Sequence, residues 1–598
     1  MSRIGFQALA SGLLLCCAAA RPGAEEQAAD TRPAYEAEIS GAPSETILET
    51  LNTVSDTFAL RDQPPASRAH LRRRTERDRE SFLKVLHSEG YYGADIQVEL
   101  DEDGESVLVR FVINAGAPYL IEEVVIEAVG ARDSASPPLP EPEALGLQSG
   151  QVLRAAKVLN AEATLLEQVK ELGYPFPEIA RREVVVDHGT ETAEITFHLD
   201  TGSRMRFSDA RVAGLVNVAE AFVRKNLNWR EGDWFKASLL SQTQTKLYKT
   251  GLFSIVRIEA VDEEAESGRV PITLELVERK HRTIAAGLRF HTDTGVDALS
   301  SWEHRNIQGL GRTFAIHLGM GQTEQGVGTL FVIPFYRRDD QRLVFETDAR
   351  REDLDAYLST RLGGMVAIER MLSEHMNGRI GVAYRFDRIE QKGDTDSYHL
   401  LSVPASLAWS TADSTLDPTQ GTRASLLAQP FVDVMDPKTV FLKTEATVSH
   451  YVPLGESRDF ILALRMKLGM IAGAGRDDVP PDERFYAGGG GSVRGYPYRT
   501  ISPLDDDDPI GGRSLLESSI ELRKKVTETF GLVVFVDGGT VSESPYPDFD
   551  SEYRLGAGVG GRYYSPIGPL RLDVAIPLNR RSEIDNSFEI YLSLGQAF

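Results

Sequence analysis

The second half of the chain alternates large apolar side chains with small or polar ones. In FILALRMKLGM, residues 460–470, every second residue from Phe460 to Met470 is large and apolar, while Arg465 and Lys467 lie between them. A period of two places these two sets on opposite faces of a β-strand. A tilted strand needs about 9–11 residues to cross a bilayer. The segment therefore predicts a membrane-crossing strand with one face toward lipid and one toward a polar lumen.

The same alternation recurs in TFAIHLGM (313–320), LRLDVAIPL (570–578) and the final FEIYLSLGQAF (588–598). A soluble β-sandwich would alternate too, but its strands are usually about 5–6 residues long. Residues 281–598 amount to 598 − 281 + 1 = 318 residues, which at about 20 per strand and turn gives about 16 strands. We therefore predict an antiparallel transmembrane β-barrel over 281–598, closed by pairing of its first and last strands.

The first 24 residues have the pattern of a cleaved signal peptide. Arg3 precedes the apolar stretch Phe6 to Ala20, which ends in small alanines. Cys16 and Cys17 leave a lipoprotein signal as an alternative, although the two leucines before them do not suit one. These are the only cysteines, so a mature chain would have no disulfide framework. Beyond the predicted signal there is no run of 18 apolar residues, which leaves a soluble exported protein or a β-barrel.

A repeat fills the region between the signal and the barrel. Gly90, Gly173 and Gly251 end similar phrases, and each phrase has the pattern of an amphipathic helix stopped by glycine. Two strand-like runs follow each glycine, so the unit is strand, helix, helix, strand, strand. Such units predict three small α+β domains, at 35–117, 118–202 and 203–280. Their sheets would either offer edges to an extended peptide or act as rigid spacers. The net charge of −24 argues against nucleic-acid binding.

A glycine-rich stretch, YAGGGGSVRGYPY at 486–498, interrupts the barrel half. Glycine permits backbone conformations that other residues avoid, so this loop could fold back into the lumen. Alternation predicts that Glu521 and Asp537, on two nearby strands, face the same interior. An arginine brought inside needs such carboxylates, which its planar fork binds in pairs. We predict that Arg494, Gly495 and Tyr496 form a lumenal anchor; an exposed surface hairpin is the alternative.

The loop GGGGSVRGYPY resembles the VRGY/F signature of the BamA/TamA superfamily of outer-membrane insertases and secretion pores. The segment FVDGG and the glutamate of SIELR are similar to strand motifs of that superfamily. Two turns also resemble its motifs: NIQGLG at 306–311 and LDPTQGTR at 416–423. The resemblance implies that the repeats are periplasmic POTRA domains. It also implies that Arg494 packs in the lumen against Asp537 and Glu521.

The resemblance further implies a function in protein insertion or translocation across the outer membrane. Three POTRA domains resemble the TamA branch, which implies a TamB-like partner anchored in the inner membrane and unfolded outer-membrane clients such as autotransporters. Clients would enter through a lateral seam between the first and last strands. The residues expected at this seam are Ile284, Leu288, Phe290, Ile590, Leu592, Leu594 and Phe598.

A secretion pore of the two-partner type, or a general BamA-like translocation pore, is the alternative function. An outer-membrane enzyme is a third class, but the sequence contains neither H-E-x-x-H nor G-x-S-x-G. The segment GAGVGG at 556–561 fits a dinucleotide fingerprint by its letters only, since it lacks the strand–helix setting. We therefore predict no catalytic residue, no metal ligand and no cofactor.

Overall fold

A computed structural model describes residues 34–598, except 64, 102–105, 130–136, 263–267, 437–438, 456–458, 549–551 and 567. The predicted signal peptide at 1–24 lies outside the described residues. No helix in the described ranges is both long and apolar enough to cross a membrane.

The first repeat folds as a three-stranded sheet covered by helices. Its central strand pairs in parallel with the first strand and antiparallel with the second. Apolar residues on one face of that central strand, such as Val109 and Phe111, are fully buried. The elements are β1 (Tyr35–Ser40), α1 (Glu45–Val54), α2 (Asp56–Ala59), α3 (Arg68–Ser88), β2 (Asp95–Asp101) and β3 (Val107–Asn114).

The second and third repeats have the same strand order, with the last strand in the centre of each sheet. The second comprises β4 (Leu120–Val129), a 3-10 turn (Pro142–Leu145), α4 (Ala155–Glu171), β5 (Glu178–Asp187) and β6 (Thr192–Asp200). The third comprises β7 (Arg206–Ala213), α5 (Glu220–Lys225), α6 (Ala237–Lys249), β8 (Phe253–Ala260) and β9 (Arg269–Glu278). The predicted first helix of the second repeat is only a single 3-10 turn, because prolines at 138, 140 and 142 restrict its backbone.

The three glycines that end the repeated phrases do stop helices. Gly90, Gly173 and Gly251 follow the last turns of α3, α4 and α6, and their φ angles are 99°, 108° and 70°. This left-handed region penalises residues with a Cβ atom. The predicted helix ends are therefore confirmed, whereas the domain boundaries stay predictions.

Residues from Arg282 onward form a closed barrel of antiparallel strands. Its first strands are β10 (Arg282–His291), β11 (Gly295–Ile307), β12 (Arg312–Met320), β13 (Glu324–Ile333), β14 (Gln341–Leu354), β15 (Tyr357–Ser373) and β16 (Met376–Gln391). Next come β17 (Asp394–Ser402), β18 (Ala405–Ser410), β19 (Gly421–Asp433), β20 (Val440–Leu454) and β21 (Phe460–Ala472). After a long loop containing the short hairpin β22 (Leu504–Asp505) and β23 (Asp508–Pro509) follow β24 (Ser514–Lys525), β25 (Phe530–Ser542), β26 (Arg554–Ser565), β27 (Gly568–Pro577) and β28 (Glu589–Leu594).

The barrel has sixteen strand positions, as the sequence predicted, because β17 and β18 share one of them. Both pair with β16 on one side and β19 on the other. Pro404 lies between them and has no N–H to donate to a ladder. The strand is therefore interrupted without leaving its place in the wall.

The predicted faces of β21 are confirmed. Met466 and Phe460 are exposed on the outer face, whereas Ile461 and Ala463 are buried on the inner one. The same division holds on β24, where Ile520 faces outward while Glu521 and its alternate neighbours are buried. The wall thus has an apolar exterior and a charged interior, which is the arrangement of a membrane barrel.

Candidate functional site

The loop between β21 and β24 folds into the barrel and carries a buried arginine. Arg494 is 2% exposed. Its Nε and Nη2 donate to the two carboxylate oxygens of Asp537 at 2.6 and 2.9 Å. Its Nη2 also lies 2.7 Å from Oε1 of Glu521. The structure therefore brings together the arginine and both carboxylates that the sequence singled out.

Two further groups complete the arginine's surroundings, and the sequence reasoning did not assign them. Nη1 of Arg494 donates to Oδ2 of Asp573 on β27 at 2.9 Å. The guanidinium carbon also lies 3.4 Å from the ring centroid of Phe535, a cation–π contact. Alternation in LRLDVAIPL had placed Asp573 on the inner face, so the signal was present. What was missing was the tertiary arrangement, in which Arg494 reaches β24, β25 and also β27, although β26 lies between β25 and β27.

The residues after the arginine tie the loop to the last strands. Gly495 has a φ of 96°, and a Cβ there would lie 2.8 Å from the backbone of Ile576, so only glycine fits. Its N–H donates to the hydroxyl of Tyr591 at 3.1 Å. The buried Tyr496 hydroxyl donates to Oδ1 of Asn579 at 2.6 Å. All three residues of the predicted anchor thus contact the wall.

Three more arginines share the anchor's carboxylates. Arg523 donates to Glu521 at 2.8 Å, and Arg562 donates to Asp573 at 2.5 Å. Nε of Arg571 lies 3.5 Å from Asp573. A buried ion pair gains little over apolar packing, but loss of one partner leaves an uncompensated charge. The network therefore enforces one position of the loop more than it adds net stability.

The first and last strands pair over a very short length. Phe290 pairs with Leu592 and His291 with Tyr591. One further backbone bond, from Thr292 N–H to the carbonyl of Ile590 at 3.1 Å, extends this pairing. By contrast β14 pairs with β15 along its entire length. The barrel is closed, yet β10 and β28 pair over far fewer residues than β14 and β15 do.

Six of the seven predicted seam residues fall into three groups. Phe290, Leu592 and Ile590 lie at the short contact. Ile284 and Leu288 are 79% and 77% exposed, and within the described residues neither has a register partner on β28. Leu594 pairs with Leu570 of the neighbouring β27.

The structure places Phe598, the last of the predicted seam residues, inside the barrel. Its ring stacks on Tyr451 with centroids 6.4 Å apart, and its carbonyl accepts from Arg523 at 3.2 Å. Gln596 donates from its side chain to Asp417 at 2.8 Å and from its backbone to the carbonyl of Leu416 at 3.1 Å. The LDPTQGTR turn thus binds the segment that follows β28. This docking keeps that segment from extending the seam.

A separate polar cluster lies just before β10, the first strand of the barrel. The carboxylate of Glu278 accepts from the N–H groups of Val216, Asn217 and Val218 at 2.8–3.0 Å. Burial acts to raise the pKa of Glu278, but these hydrogen bonds and one from His281 outweigh it and lower the pKa to about 2. The NIQGLG turn joins the same cluster.

Asn306 of that turn donates from its side chain to the carbonyl of Asn217 at 3.0 Å and accepts from Gly311 N–H at 3.0 Å. A Cβ at Gly311 would lie 2.7 Å from the ring of Phe222 in α5. The glycine therefore permits α5 to pack closely against the turn. The motif has a positional role at the base of the barrel.

Comparison with known families agrees with this architecture. Residues 306–598 match the Omp85 superfamily domain, and residues 205–279 match the POTRA family, described as a surface antigen variable number repeat. The barrel of this chain is an Omp85 superfamily domain. This confirms the superfamily expected from the loop motifs and does not distinguish the TamA branch within it. The Omp85 barrel lies in the outer membrane, and the POTRA domain lies in the periplasm.

Relatives of known role share most of the chain at low identity. The outer membrane protein assembly factor BamA of Neisseria meningitidis is 22% identical over 587 residues, covering 87% of this chain and 72% of its own length. BamA of Nitratidesulfovibrio vulgaris is 25% identical, with 88% and 68% covered. The crystal structure of Haemophilus ducreyi BamA lacking POTRA domains 1–3 shares the fold, with a TM-score of 0.67 at 19% identity, over 79% of this chain and 99% of that one. The Omp85 superfamily comprises assembly and transport barrels and is not a class of enzymes.

Proposed function

We propose that this protein assembles other outer-membrane β-proteins by offering the unpaired edge of β10 to an incoming strand. The observation that carries the proposal is the short contact between β10 and β28. In lipid, every backbone N–H and C=O group must find a partner within protein. An edge that is unpaired at membrane depth therefore binds any strand that can pair with it.

The position of the edge suits a client arriving from the periplasm. β10 begins four residues after the end of β9, the last strand of the POTRA domain. Its paired residues, Phe290 and His291, lie at the opposite end of the strand. The unpaired part of β10 is consequently the periplasmic part, so a client delivered there meets a free edge first.

The observed register also defines how the seam would close. Phe290 pairs with Leu592, and antiparallel continuation of this register pairs Leu288 with Leu594 and Ile284 with Phe598. A fully closed seam would thus use the residues that the sequence predicted. A client strand would compete with the chain's own last strand for the same edge.

The assignment to a TamA-like role rests on the three repeats that precede the barrel. Three modules with the same strand order precede the barrel, which favours a TamA-like role. In such a role the first module would dock a TamB-like protein anchored in the inner membrane, and the clients would include autotransporters. The sheet edges of β2 and β5 provide backbone groups for such docking. Copurification of an inner-membrane partner that depends on the first module would test this assignment separately.

A disulfide across the seam tests the assembly function. Leu288→Cys with Leu594→Cys should form a bond only when the last strand is drawn along β10, because no native pairing holds these positions together. Val366→Cys with Val382→Cys is the matched control, since these exposed residues are register partners on the fully paired wall. In proteoliposomes, oxidation should stop client insertion in the seam variant only, and a reductant should restore it. Undiminished insertion by a fully cross-linked seam variant would contradict the proposal.

A further inference from the structure

The inward loop has a second charged anchor, which no sequence motif indicated. A 3-10 turn at Pro481–Glu483 projects two carboxylates into the barrel wall. Asp482 accepts from Arg361 at 2.5 Å, and Glu483 accepts from Lys443 at 3.1 Å and from Arg385. Because all of these partners lie on barrel strands, the loop is fixed to the wall at this point too.

We refer to Asp482, Glu483 and their cationic partners on the wall as the far-wall anchor, and its carboxylates are buried or nearly so. The side chains of Asp482 and Asp387 are completely buried. Asp387, on β16, accepts from Arg361 at 3.2 Å and lies 2.7 Å from Arg385. Three cations therefore face three carboxylates, two of them supplied by the loop. Removal of a loop carboxylate would leave buried cations without compensation.

The two anchors use different strands of the barrel wall. The far-wall anchor uses β15, β16 and β20, whereas the carboxylates around Arg494 are on β24, β25 and β27. In the order of sixteen strand positions, the first set occupies the sixth, seventh and tenth, and the second set occupies the twelfth, thirteenth and fifteenth. Although only β21 separates β20 from β24, about half of the circumference separates β15 and β16 from β25 and β27, so the contacts of Asp482 and Arg494 lie across the lumen from each other.

Apolar packing fills the space between the anchors. Val479, Phe485 and Val493 of the loop are buried in one cluster with Phe441 and Leu515 of the wall. A Cβ at Gly469 of β21 would lie 2.5 Å from the ring of Phe485. The loop thus has a packed core with the barrel, which a loosely inserted loop would lack.

We propose that Asp482 and Glu483 are a second attachment of the inward loop, residues 473–513, and that without them this loop no longer stays in place as a plug against the wall opposite the seam, so that small solutes pass through the barrel. The Arg494 anchor alone would leave the loop attached on one side, free to swing away from the far wall. The far-wall anchor prevents that movement. This barrier role goes beyond the proposed assembly function and is measured without any client.

Single-channel recording of the full-length protein in planar lipid bilayers tests the plug. Glu483→Gln keeps the side-chain shape and removes the charge. It should raise the fraction of time in conducting states by on the order of a hundredfold over the wild type. Asp505→Asn is the matched control, because Asp505 belongs to the same loop but is exposed and pairs only with Lys392 among the described residues. The control should stay as closed as the wild type.

Unchanged closure in folded Glu483→Gln, with folding read from heat-modifiable migration on gels, would overturn the proposal. If that variant does not fold, Lys443→Gln provides the test from the wall side, since it removes one cation that also contacts Glu445. It should raise conductance in the same direction by a smaller factor. A folded Lys443→Gln variant as closed as the wild type would overturn the proposal as well.

Discussion

Two parts of the barrel wall differ in how many backbone hydrogen bonds hold their strands together. β14 pairs with β15 from one end to the other, so backbone hydrogen bonds hold that wall. β10 and β28 meet at two residue pairs, although both strands show the same alternation of side chains. Alternation sets which face meets lipid, but it does not set how far two strands pair. The number of backbone hydrogen bonds that close the barrel therefore depends on the path of its last strand.

Side chains support the seam side in place of a long ladder. The Arg494 anchor joins β24, β25 and β27, the strands that lead to β28. The turn at 416–417 holds the segment after β28 inside the barrel. The wall opposite the seam needs no such support for its own closure.

Hydrogen exchange within β10 should show the largest effect. In an antiparallel strand, alternate residues point their N–H groups to opposite neighbours. Since Thr292 donates to β28, the N–H groups of Ile284, Ala286 and Leu288 face the missing partner, while those of Ala285 and Gly287 face β11. The first set should exchange at least about 10³-fold faster in nanodiscs, because opening a paired ladder costs about 5 kcal/mol or more.

The alternation within one strand is its own control for membrane depth, since neighbouring residues lie equally deep. Residues of β15 should be protected throughout, without an odd–even pattern. Equal protection of all β10 amides would show that the seam is paired along its length in solution, and the contrast between the walls would disappear.

Loss of the Arg494 charge should have the next largest effect. Arg494→Ala leaves Asp537, Glu521 and Asp573 with fewer cations in a buried site, which costs about 3–5 kcal/mol. The variant should unfold at lower denaturant concentration, and its folded form should lose heat resistance on gels. Client assembly should fall with it, because the last strands lose their support.

Arg342→Ala is the matched control on the opposite wall. Arg342 pairs with Glu369 on the partly exposed rim of β14, and such pairs contribute about 0–1 kcal/mol. A stability loss of the same size in both variants would contradict the assignment of Arg494 as an anchor.

The base of β10 should show the smallest effect, and it depends on pH. The pKa of Glu278 is lowered to about 2 from an ordinary value of 4.5, so the folded state favours the carboxylate. Its stabilising contribution is complete above about pH 4.5 and is lost as pH falls toward 2. Glu278→Gln should therefore lower the stability at neutral pH by about 1–3 kcal/mol.

The difference between Glu278→Gln and the wild type should shrink between pH 4.5 and pH 2, as measured by denaturant unfolding of the detergent-solubilised protein. Glu275→Gln is a control on the same strand, since Glu275 is exposed and pairs with Arg257 at the surface. A pH-independent difference would contradict the role of the Glu278 charge.

Much of the fold could be predicted from local patterns. The glycines at 90, 173 and 251 stop helices because their φ angles are positive. Glycine is the residue that adopts such angles most readily, so the residue type alone indicates the helix end. The alternation in 460–470 predicted the two faces of β21 because a strand has a period of two. Arg494, Glu521 and Asp537 were predicted together because a buried guanidinium needs carboxylates. Each of these inferences uses neighbours in sequence or simple charge balance.

Local patterns in the chain thus specify the strands, the face that each strand turns to lipid and the charge that the inward loop must neutralise. The long-range contacts are visible only in the folded molecule: Asp573 completes the Arg494 site, Asp482 and Glu483 reach the far wall, and Phe598 turns into the lumen rather than along β10. These contacts join residues from 40 to more than 140 positions apart. Closure of the barrel brings such residues together, and local periodicity carries no information about which distant strands become neighbours across a lumen.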